Sequence, residues 1–144
     1  EQMKKIHQFV IMCAPTPSQY AGIEALKNGD KDIEKMREEY DRRRHYLLSE
    51  FERLGLPCFE PKGAFYMFPY IGRYGMSSDD FATDLLQKEH VVVVPGTAFG
   101  DSGEGFIRIS YAYSLDALKE AIKRIEKYLT EKKYELLSSS CASR

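Results

Sequence analysis

Apolar positions recur at three- and four-residue steps over residues 31–54, where Ile33, Met36, Tyr40, Leu47, Phe51 and Leu54 line one side of a helix. Asp30 or Asp32 can cap its start, and Gly55 stands where a left-handed residue ends a helix. A second stripe, Leu118, Ile122, Ile125 and Leu129, follows the N-cap candidate Ser114 and predicts an amphipathic helix over about residues 115–133. Between the two the period changes. Residues 58–60, 64–71, 91–94 and 106–112 are short apolar or aromatic runs that read as strands. A helix over about residues 78–88, acidic in its first turn, separates the second run from the third. Residues 3–13 are apolar on one side and basic at the start, which suits either helix or strand. Pro15 and Pro17 break that segment. Ser18 then caps a short helix over residues 19–27, which stops at Asn28, Gly29 and Asp30.

The order helix, strand, strand, helix, strand, strand, helix predicts an α+β fold: a small, mainly antiparallel sheet covered by helices. No internal repeat is visible. The 144 residues, 43% hydrophobic and 30% charged, are enough for one compact domain with a sizeable core. A net charge of −1 lacks the basic excess that nucleic acid or an anionic membrane would call for. No apolar run approaches the roughly 18–20 residues of a membrane span. Cys13, Cys58 and Cys141 are odd in number and dispersed, as expected of reduced thiols in a cytoplasmic protein. The chain opens on Glu1 with no charged-then-apolar leader, from which a piece of a longer polypeptide is expected.

The chemistry concentrates in residues 106–112 (FIRISYA). Strand alternation puts Phe106, Arg108 and Ser110 on one face and Ile107, Ile109 and Tyr111 on the other. A guanidinium on an inner strand needs an anion, because an unpaired buried charge is costly. Spacing alone leaves two partners open: an internal carboxylate, the commoner case, or a ligand carboxylate, which the planar fork of arginine grips with two parallel hydrogen bonds. The preceding loop, residues 95–105 (PGTAFGDSGEG), lets the backbone approach a ligand closely but lacks the lysine and following helix of a phosphate loop. Arg42, Arg43 and Arg44 read as a solvated helix face, with Glu38 and Glu39 spaced to pair with Arg42 and Arg43. His7, His45 and His90 are too dispersed for a metal site, and no Gly-x-Ser-x-Gly elbow or Cys–His neighbour marks a nucleophile.

Several segments together resemble the C-terminal part of class I pyridoxal-phosphate-dependent aminotransferases of fold type I. These are residues 5–9 (KIHQF) and 13–19 (CAPTPSQ), the Arg42–Arg44 helix, residues 61–68 (PKGAFYMF), and residues 92–100 (VVVPGTAFG) with 105–112 (GFIRISYA). The resemblance implies that Arg108 binds the α-carboxylate of an amino-acid substrate and that Phe65 lies near the substrate. It places residues 14–19, Thr16 among them, near a dimer interface. It divides the chain into an interdomain segment over residues 1–30, the small domain over 31–134, and a tail over 135–144 expected to be disordered. Implied partners are amino-acid and 2-oxo-acid substrates, pyridoxal phosphate as cofactor, and a second copy in a homodimer, with neither nucleic acid nor membrane. The Schiff-base lysine of that family lies in a Ser-Lys motif that has no match here. Nor do the residues that hold the pyridine ring, so no catalytic residue is assigned and the chain alone is expected to be inactive. Without the rest of such a protein, apolar surface on residues 3–27 is expected to be exposed. The alternative is a non-catalytic, effector-binding domain of the same fold in a regulator.

Overall fold

The computed structural model describes residues 1–142, with side chains through residue 135. Contacts divide the chain into two compact units, Glu1–Glu39 and the remainder from Tyr40 onward.

The first unit holds α1 (Gln2–Val10), α2 (Thr16–Asn28) and the beginning of α3 (Asp30–Leu54). Residues 3–13, ambiguous by pattern, are thus mainly helical. The second helix starts at Thr16, three residues before the predicted position. Its N-cap is Pro15 and not Ser18, because a proline is well tolerated in the first turn, where its missing N–H costs nothing. No residue of α1 or α2 is buried: Met3, Phe9 and Leu26 are all more than four-fifths exposed, as is Met12 between the two helices. Ile33 and Met36 are more than half exposed as well, so the buried stripe predicted for α3 begins only at Tyr40.

The second unit contains the rest of α3, then β1 (Tyr66–Met67), α4 (Ser78–Glu89), β2 (Val94–Pro95), β3 (Ile107–Ser110) and α5 (Leu115–Ala142). The three strands form one antiparallel sheet in the order β1-β3-β2. Tyr66 pairs with Ser110 and Met67 with Ile109, while Val94 pairs with Arg108 and Pro95 with Ile107. The strands are shorter than their apolar runs. Pro69 and Pro95 have no N–H for a ladder, so pairing beyond β1 falls to isolated bridges, Cys58 with Pro69 and Tyr70 with Phe106. Residues 58–60 accordingly form a bridge and no strand.

One face of the sheet enters the core. Met67 and Ile107 join Leu47 and Phe51 of α3, Phe81 and Leu85 of α4, and the predicted α5 stripe Leu118, Ile122, Ile125 and Leu129. Tyr128, fully buried on α5, adds an aromatic that the stripe did not include. Gly55 ends α3 at φ +67°, as its position predicts. Ser114 caps α5 through the Ala117 N–H at 3.3 Å. That helix passes its predicted end near residue 133; the side chains of residues 136–142, and residues 143–144 altogether, lie outside the described residues, and so does the tail expectation for that stretch.

Arg44 departs from the solvated face predicted for the arginine run. Its side chain is only 18% exposed and pairs with Asp41 at 2.7 Å and Glu60 at 2.5 Å, tying α3 to the segment before β1. Arg43 lies 5.4 Å from the centre of the Tyr40 ring.

Candidate functional site

The register of the sheet builds the site. Because Tyr66 pairs with Ser110 and Val94 with Arg108, the face away from the core carries Tyr66, Val94, Arg108 and Ser110. The Arg108 guanidinium lies 4.3 Å from the centre of the Tyr66 ring and 4.8 Å from that of Phe99. Phe99 meets Phe68 edge to face at 5.5 Å. A cation against two ring faces is held without being neutralised.

No carboxylate pairs with Arg108 among the described residues. Its Nε is enclosed and has no hydrogen-bond partner, and no hydrogen bond or ion pair to its two Nη nitrogens is found among the described residues. The internal ion pair that spacing also allowed is therefore not what these residues form. Arg108 also lines a 450 Å³ cleft along the β2 edge, with Val92, Val94, Ser110 and, from α5, Ala121 and Ile125.

Phe65 sits at the entry to β1, 38% exposed, so it is not a core residue. It stacks on Tyr40 of α3 with centroids 6.1 Å apart and touches the Tyr66 ring at 4.6 Å. Tyr66 thus contacts both Phe65 and Arg108. The turn into Phe65 needs Ala64 at φ +58°, strained for a residue with a Cβ. Tyr111 holds that turn twice: its hydroxyl donates to the Ala64 carbonyl at 2.9 Å, and its N–H donates to the Phe65 carbonyl at 2.9 Å. Burial pushes the Tyr111 hydroxyl up from its ordinary value, which keeps it a donor. Thr16 opens α2 in the other unit.

The loop before β3 folds into two short 3-10 turns, Gly96–Phe99 and Asp101–Gly103. Side chains of α4 hold it: Thr97 Oγ1 donates to Asp79 at 2.7 Å, and the Gly105 N–H donates to Ser78 Oγ at 2.8 Å. Strand alternation could have pointed to Tyr66 on the arginine face. Nothing local marks Phe99 or Tyr111, whose roles come from contacts between distant segments.

Among the described residues no group of histidine, cysteine, aspartate or glutamate could hold a metal ion, and no helix is long and apolar enough to cross a membrane. Cys13 and Cys58 are free thiols; Cys141 lies outside the described side chains.

These elements define an α+β domain, a helix-covered antiparallel sheet with Arg108 on the face away from the core. Residues 1–125 match the family described as aminotransferase class I and II, and the chain belongs to that family. It is 48% identical over 136 residues to an aspartate aminotransferase of Pyrococcus horikoshii, covering 92% of this chain and 35% of that protein. It is 44% identical over 135 residues to aromatic-amino-acid aminotransferase 2 of Thermococcus litoralis, with the same coverage of 92% and 35%. The crystal structure of an aromatic aminotransferase from Pyrococcus horikoshii superimposes with a TM-score of 0.85 at 45% identity, over 90% of this chain and 35% of that one. The chain thus spans about a third of the length of the curated relatives it matches.

Proposed function

We propose that this chain is the C-terminal domain of a pyridoxal-phosphate-dependent aminotransferase, in which Arg108 binds the α-carboxylate of the substrate. The observation that carries the reading is the Arg108 guanidinium itself, within 4.8 Å of the Tyr66 and Phe99 ring centres and paired with no acid among the described residues. A carboxylate meeting that fork gains two charge-assisted hydrogen bonds, and the flanking rings exclude water from the pair. Phe65, touching Tyr66, borders the same site and would contact the substrate beyond its carboxylate. The reaction is transfer of an amino group from an α-amino acid to a 2-oxo acid.

The residues around Arg108 fit a carboxylate and not the cofactor. Pyridoxal phosphate needs a lysine and a partner for its ring nitrogen, and the cleft beside Arg108 is lined by no lysine. Cofactor binding is therefore assigned to the two thirds of the relatives' length that this chain does not match. The relatives are named for aspartate in one case and aromatic amino acids in another, and the group common to those amino acids is the α-carboxylate that this reading gives to Arg108. Their names also favour an enzyme over an effector-binding module. The same reading makes the whole protein a cytoplasmic homodimer acting on small molecules, in keeping with the free thiols and near-zero net charge.

Arg108→Lys in the full-length protein keeps the charge and removes the fork. Its kcat/KM for the amino acid should fall about 10- to 100-fold, the worth of one bidentate charged pair. Unchanged KM and kcat/KM would sink the assignment.

A further inference from the structure

One of the two rings against the Arg108 guanidinium belongs to Phe99, which is half exposed and rides on the 96–105 loop. Backbone bonds hold that loop at both ends, Gly96 N–H to the Phe106 carbonyl and Ile71 N–H to the Gly105 carbonyl, each at 2.8 Å, and a side-chain network at the start of α4 fastens it between them. Ser77 is the N-cap, and its hydroxyl accepts the Asp80 N–H at 3.1 Å. The cap leaves the Ser78 N–H, one of the orphan donors of a helix start, without an intrahelical acceptor. Glu104 supplies the acceptor: its Oε1 takes the Ser78 N–H at 2.9 Å and lies 3.4 Å from the Ser78 hydroxyl. Ser78 is fully buried, and its hydroxyl in turn accepts the Gly105 N–H at 2.8 Å. The positive end of the helix favours a carboxylate at this point. Thr97 donating to Asp79 makes a second tether on the same helix turn.

We propose that Glu104 is a positioning residue: by fastening the 96–105 loop to the first turn of α4, it holds the Phe99 ring against the Arg108 guanidinium and so fixes the direction from which a carboxylate reaches the arginine. The consequence for substrate rests on the carboxylate reading above; the positioning itself does not. Glu104 touches neither Arg108 nor Phe99, and it acts through the loop. Without its carboxylate the buried Ser78 N–H loses its acceptor, the loop loosens from α4, and Arg108 keeps only one of its two rings.

The decisive readout needs no substrate. In the full-length protein with 15N-labelled arginine, the Arg108 Nε–H is enclosed and its guanidinium carbon lies 4.3 and 4.8 Å from two ring centres, so its resonance should stand apart from those of exposed arginines and exchange slowly with solvent. Glu104→Ala should return the resonance to the exposed cluster and speed its exchange by at least about tenfold, the effect of losing one charged hydrogen bond. Glu104→Gln keeps an acceptor oxygen for Ser78 and should restore most of the wild-type signature. A folded Glu104→Ala chain with an unchanged Arg108 resonance overturns the proposal. If that variant does not fold, Thr97→Val decides: removing the second tether should shift the same resonance in the same direction, and no shift overturns the proposal. In the full-length protein, Glu104→Ala should raise the KM for the amino acid several-fold with kcat held within about twofold, an uneven split that general destabilisation would not produce. If Arg108→Lys leaves KM unchanged while Glu104→Ala still moves the Nε–H resonance, the carboxylate reading fails and the positioning role stands.

Discussion

A methyl group at Gly96 would run into the carbonyl oxygen of Gly103 and come within 2.8 Å of that of Phe106. Both obstacles are backbone and cannot swing aside. Gly96→Ala should therefore cost about 2–3 kcal/mol of stability, the usual price of overpacking, and lower the thermal midpoint. A midpoint within a degree of wild type would show that the loop opens without strain. Gly100, at φ +117° with open space around it, needs glycine for its backbone angle and not for room. The sequence shows four glycines between residues 96 and 105 without telling them apart. Their different roles depend on which strands of backbone cross there. Arg108 is the opposite case: alternation within residues 106–112 already sets it on the face away from Ile107, and the sheet register confirms that placement.

At the scale of elements, α4 and α5 are joined by a part-buried polar link. The hydroxyl of fully buried Tyr128 donates to Asp84 at 2.8 Å, and Lys132 pairs with the same carboxylate oxygen at 2.8 Å. The Lys132 ammonium first, and the Tyr128 hydroxyl after it, hold the Asp84 carboxyl below the usual carboxylate range, against the opposing effect of burial. A depressed folded value means the link contributes fully above the unfolded value, about pH 4, and its contribution fades as pH falls through the lower folded value. Asp84→Asn should lower the thermal midpoint near neutral pH and lose that deficit below about pH 4. Tyr128→Phe should cost about 1 kcal/mol at neutral pH. Thermal unfolding across that pH range tests both, and a deficit independent of pH would contradict the Asp84 assignment. The α5 stripe was legible because i, i+3 and i+4 spacing is local. The Tyr128 link was not, since it joins residues 44 apart.

At the scale of the whole molecule, the chain spans about a third of its relatives' length and exposes apolar residues of α1 and α2. Incubated with pyridoxal phosphate and reduced with borohydride, the isolated chain should give no stoichiometric adduct on any one lysine. Mass spectrometry of the digested protein reads this directly, and one fully labelled lysine would show that the chain holds the cofactor after all. The exposure of Met3, Phe9, Met12, Ile33 and Met36 also explains a difference at this scale. The periodic stripe in α3 marks which side of the helix is apolar, but only the tertiary structure shows that Ile33 and Met36 in its first part are more than half exposed.

Helix spacing, capping residues and strand alternation are short-range properties, and from them the sequence by itself determined the α+β class, the long central and C-terminal helices, and the face on which Arg108 stands. Family resemblance supplied the proposal that Arg108 binds a carboxylate, which spacing alone left open. Strand lengths, the start of α2 at Thr16 and the pairing of Arg44 with Glu60 were decided by tertiary structure. So were the cage of Tyr66 and Phe99 and its fastening through Glu104. Each of these depends on which segments meet in space, and a pattern read along one segment carries no record of what lies across from it.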